Sequence, residues 1–262
     1  MPDYLVPPYS TVATPYGGRS TVFLQGGDNV VHGGGIDTVY AATGFDQVYT
    51  SDFDTDVHGG RGYLYVEDGN GDNYVDLGYG RGEVYAGLGN DTVLGGAGGN
   101  SYLIATGGNT TLVGGNADVL YGSRGDTEFV GSAAGGDTMV GGSGRNLMFL
   151  SDDNVAFTGG GSSTVVGSDA ANTVFLGSGE TLAYAQGGGD LYVLQKGASG
   201  GDDAIVGFRP GLDQVALYGY SDAEVGFAVA NAQHGAYGST ISLRDGTDLT
   251  LFNVQDVARA LA

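Results

Sequence analysis

Aspartates set in glycine turns are the residues of this chain best placed to do chemistry. A glycine precedes an aspartate by two positions in Gly26 with Asp28, Gly35 with Asp37, Gly44 with Asp46, Gly89 with Asp91, Gly135 with Asp137 and Gly188 with Asp190. A hard cation takes about six to eight oxygens at roughly 2.3–2.6 Å. Glycine turns expose carbonyl oxygens and an aspartate adds charge, so two such turns lying against each other would share one ion. Asp28 and Asp46, 18 positions apart, form the cleanest pair, and Asp118 and Asp137, 19 apart, the next. Elsewhere the aspartate position holds Ser20, Thr55, Leu64, Asn73, Gly82, Thr110, Asn146, Ser163 or Asn172, none of which brings a full charge. The competing reading is that these Asp, Asn, Ser and Thr side chains serve turn geometry alone, bonding nearby backbone or stacking in ladders.

Other reactive groupings are sparse. Asp52, Asp54 and Asp56 with His58 form the densest one, readable as acid, base or metal ligands, but read here as a solvated loop interrupting the pattern around it. His32 and His234 stand alone, with no Ser/His/Asp grouping in the sequence. Matches to a glycine-rich phosphate loop are frequent, yet none opens a helix after a strand, as anion binding there requires.

The elements that must position the aspartates follow from a nine-residue period. Valines recur at 30, 39, 48, 57, 66, 75, 84 and 93, and the series continues with slips through Leu103, Leu112, Leu120, Met139, Met148, Val165, Val174, Leu182 and Tyr192. Nine residues are too few for a helix and its connection but suit a short strand and a tight glycine turn, as in GGGIDTVYA. An antiparallel sandwich or barrel is the alternative. Fixed spacing and an 18-residue repeat of apolar positions favour an all-β, right-handed parallel solenoid of two strands per coil. Val39, Val57, Val75 and Val93 then stack in one wall and Val30, Val48, Val66 and Val84 in the facing wall. Residues 17–197 form this roll, with about ten coils at ~4.8 Å each. Residues 1–16 are an extension outside the repeat, read as a frayed tail or a strand added to another subunit's edge. Beyond 197 glycine thins out, and AIVGF, DQVALYGY, GFAVA, STISL and DLTLF read as strands of an antiparallel cap over 198–262; VARALA ends it as a short helix or a tail.

Composition narrows the function classes. The 53 glycines among 262 residues exclude a helical bundle, since glycine weakens helix interiors. A net charge of −21 disfavours nucleic acid, which needs a basic surface. Cations and neutral polymers suit it better, and the mutual repulsion of 30 acids opposes compaction until cations or salt relieve it. Without cysteine there are no disulfides or thiolate sites. No basic start followed by an apolar run opens the chain, and no stretch has the length of an apolar membrane span. Tyr40, Tyr49, Tyr63, Tyr65, Tyr74 and Tyr85 flank the valine positions: facing outward they would stack on sugar rings or on neighbouring molecules, facing inward they would fill corners.

The unit GLGNDTVL (87–94), followed by GGAGGNSYL (95–103), resembles the nonapeptide GGxGxDxUx of the RTX, or haemolysin-type calcium-binding, β-roll family. Residues 200–220 and 239–254 resemble the C-terminal segment of its members exported by type I secretion. The resemblance implies Ca2+ at turns carrying Asp28, Asp37, Asp46, Asp91, Asp118, Asp137 and Asp190, and a further ion near Asp202, Asp203 and Asp213 in the cap. It also implies an uncleaved C-terminal export signal, hence a secreted, extracellular or cell-surface location, and a chain looser inside the cell than in millimolar calcium outside. Enzymes of this family carry their catalytic domain before the roll, and only about 16 residues precede the first repeat here. The expected function is therefore a non-catalytic matrix, biofilm or surface protein with itself or extracellular polysaccharide as partner. A calcium-dependent adhesin or polysaccharide-binding module and a solenoid enzyme acting on polysaccharide are the alternatives.

Overall fold

The computed structural model describes residues 3–261. They are all-β with 5% helix, a parallel β-solenoid of about 11 turns ending in a short antiparallel segment. Two compact units divide the chain, one through Asp137 and the other from Thr138.

In the first unit one wall is built, in order, from Asp3–Val6, Arg19–Leu24, Ile36–Tyr40, Thr55–His58, Tyr74–Asp76, Asn90–Leu94, Asn109–Val113 and Thr127–Val130. The facing wall takes the alternate strands Thr11–Ala13, Asn29–His32, Phe45–Tyr49, Tyr63–Glu67, Arg81–Ala86, Tyr102–Ala105 and Val119–Tyr121. Every pairing is parallel, which rules out the sandwich and the up-and-down barrel. Between the walls Val22, Val39, Val57, Val75, Val93, Leu112 and Phe129 stack against Val31, Val48, Val66, Val84, Leu103 and Leu120, all without solvent exposure. A coil cannot bury this apolar face by itself, so each depends on the next.

Two of the expected core residues are displaced by one position. Val31, not Val30, pairs with Val48 and is buried, while Val30 lies beside Gln47. A turn can lose a residue at little cost, but a one-residue slip inside a strand would turn every side chain to the opposite face. The coil step accordingly varies in the turns, from Val22↔Val39 through Val39↔Val57 to Val93↔Leu112, while the strands keep phase. Ala183 likewise takes the core place expected of Leu182, which pairs with Thr164 and is only half-buried. The segment around Asp52 does not interrupt the solenoid, since Thr55–His58 is one of its strands. Nor does the N-terminal segment fray: Asp3–Val6 and Thr11–Ala13 pair parallel with the next coil and form a turn of the solenoid. Met1, Pro2 and Ala262 lie outside the described residues.

The second unit repeats the plan. Arg145–Phe149, Ser162–Val166, Thr181–Tyr184, Asp202–Val206 and Asp248–Phe252 pair parallel in one wall. Thr138–Val140, Val155–Phe157, Thr173–Leu176, Leu191–Gln195 and Gln214–Tyr218 form the other. Parallel stacking thus runs past residue 198 into AIVGF and DQVALYGY, and antiparallel pairing is confined to Gln233–Gly235, Gly238–Ser242 and Asp248–Phe252. GFAVA, expected as a strand, lies in the helix Asp222–Ala230. Ser221 caps it by accepting from the Glu224 amide while Glu224 returns to the Ser221 amide, which settles the segment as helix despite its β-like composition. VARALA contains a single 3-10 turn, Val257–Arg259, and Leu261 bridges to Val215.

Candidate functional site

The inward face of most strands begins with a polar residue and carries an apolar one two positions later; Leu64 before Val66 and Gly82 before Val84 are exceptions. Asp37 precedes Val39, Asp91 precedes Val93, Asp118 precedes Leu120 and Asp203 precedes Ile205, all buried. Side chains alternate across a strand, so both members point between the walls, the apolar one into the core and the polar one into the corner beside the turn.

In these corners the polar side chains form ladders. The amide of Ser101 donates to Asp118 Oδ1 at 2.6 Å, and that of Asp118 to Asp137 Oδ1 at 2.8 Å. The amides of Thr55 and Asn73 donate to Asn73 Oδ1 and Asp91 Oδ1, each at 3.0 Å. In the second unit the chain of bonds runs from Asn154 to Asn172, Asp190 and Asp213, at 3.0, 3.0 and 3.1 Å. The direction is constant in these ladders: an amide of one coil donates to a side chain of the next. Several aspartates also close their own turn. Asp118 Oδ2 accepts from Gly115, Asp137 Oδ2 from Ser132, and Asp213 Oδ2 from Arg209. A Cβ on Gly95 would fall on the Asp118 carboxylate and one on Gly114 on that of Asp137, so glycine is needed there to let the carboxylate in.

The expected site residues divide accordingly. Asp118 with Asp137, and Asp190 with Asp213, are brought together on successive coils. Asp28 and Asp46 are not: Asn29 holds the inward place and its Nδ2 donates 2.9 Å to Asp46 Oδ1. Asp28 is exposed and accepts from the Phe45 amide instead. Its place in the sequence is one residue off the inward phase, the same error that exchanged Val30 for Val31. Asp37 accepts from Gly35 and from the Thr14 hydroxyl. Asp203 is inward and 2% exposed, Asp202 points out, and Asp213 belongs to the other wall, so the expected trio does not assemble. Thr181 lies beside Asp203 in register, but neither Asp203 oxygen has a hydrogen-bond partner.

Burial sets the protonation of these groups. It raises Asp46, Asp91, Asp118 and Asp137 above the ordinary carboxylate range, against hydrogen bonds that pull them down. Burial pushes Asp190 up to about 6 and Asp203 up to about 7, with Asp213 and Asp202 respectively adding like charge.

The Asp118 and Asp137 carboxylates fit backbone capping better than a calcium shell, whereas Asp91 Oδ2 and Asp190 Oδ2 are buried without a hydrogen-bond partner. All four oxygens of Asp118 and Asp137 already face N–H donors, which repel a cation as surely as they hold an anion. Arg209 donates its amide to Asp213 and brings its guanidinium to 3.8 Å, setting a resident positive charge beside the Asp190–Asp213 step. Among the described residues no group of three or more His, Asp or Glu side chains converges.

Each histidine has a local partner. His32 stacks on Tyr49 and His58 on Tyr40, with ring centroids 5.3 and 4.9 Å apart. His234 Nδ1 lies 2.8 Å from Ser239 Oγ, a pair the sequence reading missed although the two are five positions apart across a hairpin turn. Ser239 is fully buried and also reaches the Gln255 carbonyl, so its hydroxyl is not offered to a substrate. The flanking tyrosines face outward in rows along the walls: on one, Phe23, Tyr40 and His58 stack and Tyr74 is tilted against His58, and on the other Tyr49, Tyr65 and Tyr85 are tilted against one another.

Comparison of the chain with protein-family models, curated proteins and solved structures finds no match.

Proposed function

We propose that this chain is a non-catalytic structural protein of the extracellular matrix or cell surface, self-associating through the open edge of its first coil. One observation carries the reading. Among the described residues Asp3–Val6 and Thr11–Ala13 pair on one side only, so two parallel walls present unpaired backbone at the same end of the first unit. The occupant that fits such an edge is a second copy of the same coil, meeting it in an isologous contact. In the second unit the antiparallel hairpin extends one wall to the exposed edge strand Gln233–Gly235, and Leu261 with the Val215-to-Ala260 hydrogen bond lies along the other. An isologous contact at this edge gives a closed dimer.

Export rests on the RTX-like C-terminal segment, and the reading assigns no ion to the aspartate ladders. Sedimentation at increasing concentration tests self-association: a monomer–dimer equilibrium is expected, lost in Leu5→Pro combined with Thr11→Pro while the circular dichroism spectrum is kept. A chain that stays monomeric at high micromolar concentration defeats the reading.

A second reading, a polysaccharide-binding module, is favoured by the outward row of tilted tyrosines Tyr49, Tyr65 and Tyr85, whose faces suit sugar rings. It predicts retention on a neutral glycan matrix that Tyr65→Ala with Tyr85→Ala abolishes.

A further inference from the structure

On the outward face of the second wall in the first unit, the register alternates phenols with acids and amides. Gln47, Tyr65 and Glu83 lie side by side on the successive strands Phe45–Tyr49, Tyr63–Glu67 and Arg81–Ala86, and Tyr49, Glu67 and Tyr85 lie side by side two positions further along the same strands. Residues two apart in a strand share a face, so both rows point away from the core. The tyrosines meet on the diagonal. Ring centroids are 6.0 Å apart for Tyr49 and Tyr65 and 5.9 Å for Tyr65 and Tyr85, with planes tilted by 55° and 56°. Tyr40, Tyr63 and Tyr74 have only phenylalanine or histidine as ring neighbours among the described residues.

The hydroxyls of this row differ in what they meet. Tyr85 donates to Glu83 Oε1 at 2.5 Å, whereas Tyr49 donates to the amide oxygen of Gln47 at 2.9 Å. The bond to Glu83 first, and then burial, pushes Tyr85 up to about 12, so at neutral pH it is a phenol and its oxidation must release a proton together with an electron. A phenol that has lost an electron is a strong acid, and a carboxylate already holding its hydrogen bond is the base placed to receive the proton; a carboxamide is no such base. Tyr65, Glu83 and Tyr85 are half-buried on the outward face, within reach of an oxidant in solution. We propose that Tyr65 and Tyr85 are an oxidative cross-linking site, joined by a peroxidase-type one-electron oxidant into a dityrosine that ties two neighbouring coils of the first unit.

Each phenol gives up one electron and one proton, Tyr85 passing its proton to Glu83 and Tyr65 to water. The two phenoxyl radicals join through ring carbons ortho to their oxygens, and the hydrogens on those carbons move to the oxygens and restore both rings. The pair loses two hydrogen atoms in all. One hydrogen peroxide takes up the two electrons and two protons and becomes two waters. The link closes a loop from residue 65 to residue 85 and so restrains the unfolded chain, as a disulfide does. It forms within one molecule and is independent of association at the first coil.

The test treats dilute full-length chain with peroxidase and hydrogen peroxide, isolates the monomer, unfolds it and digests it with trypsin. Cleavage after Arg81 separates the two tyrosines, so a surviving Tyr65–Tyr85 peptide, lighter by two hydrogen atoms than its parts, reports the link in mass spectra. That peptide and the dityrosine fluorescence of the monomer are expected in the wild type and in Tyr49→Phe, and lost in Tyr65→Phe and in Tyr85→Phe. Glu83→Gln should form the link several-fold more slowly, and the oxidised wild type should have a higher urea midpoint than Tyr65→Phe treated alike. A monomer without the Tyr65–Tyr85 peptide, with cross-links only between molecules through exposed tyrosines such as Tyr79 and Tyr237, overturns the proposal. A Tyr49–Tyr65 product in its place does so too, and an unchanged rate in Glu83→Gln overturns the carboxylate's part in it.

Discussion

An aspartate buried in a turn is costly unless its oxygens find donors, and for Asp118 and Asp137 the donors are the backbone of their own turn and of the coil before it. Asp118 shows the arrangement in full, holding the Ser101 and Gly115 amides with no solvent exposure of its own. Asp118→Ala leaves two buried amides without acceptors, and each such group costs about 1–3 kcal/mol. A large drop in the urea midpoint is expected, with a smaller one for Asp118→Asn, which keeps one acceptor. Asp190 and Asp203 behave differently. Burial raises them to about 6 and about 7, so the folded state binds protons that the unfolded chain gives up nearer pH 4. Their stabilisation is fully present below that range and disappears as pH rises through 6 to 7. The second unit should thus be more stable at pH 5 than at pH 8, opposite to a protein held by salt-bridged carboxylates. Asp203→Asn should flatten the slope of melting temperature against pH, and an unchanged slope would refute the assignment.

At the scale of the element, two local signals decide more than propensity does. Glycine admits the ladder carboxylate: a methyl at Gly95 would meet Asp118 Oδ2 and the Gly115 amide, so Gly95→Ala should separate adjacent coils and lower stability well beyond its small change in volume. Differential scanning calorimetry would show it. The capping box fixes the helix Asp222–Ala230, where Ser221→Ala should cost about 1 kcal/mol. A stability change within experimental error would mean that packing alone holds it. The SDAE sequence carried this helix signal, whereas Val225, Phe227 and Val229 read as a strand by composition. The nine-residue count failed at particular places for the opposite reason. Turns absorb insertions and deletions, so the polar–x–apolar pair within the strand marks phase better than distance along the chain does; that pair would have selected Asn29 with Val31 and Thr181 with Ala183.

For the molecule as a whole, charge is the dominant long-range term. With 30 acids against 9 bases, simple salt should stabilise the protein by screening, and calcium chloride should do no more than sodium chloride of equal ionic strength. A calcium-specific rise in melting temperature, reversed by chelator, would show ion sites outside the hydrogen-bonded ladders described above.

The sequence by itself determined the parallel two-walled coil, because a strand and turn of nine residues admit little else, and it located the polar positions beside each turn. What those positions do was decided in three dimensions. Whether a carboxylate meets an amide, an arginine, a threonine or another carboxylate depends on which coil lies next to it and on how many residues each turn has gained or lost. Thr14 and Asp37 meet only when the chain has wound once around and brought residues 23 apart into the same corner.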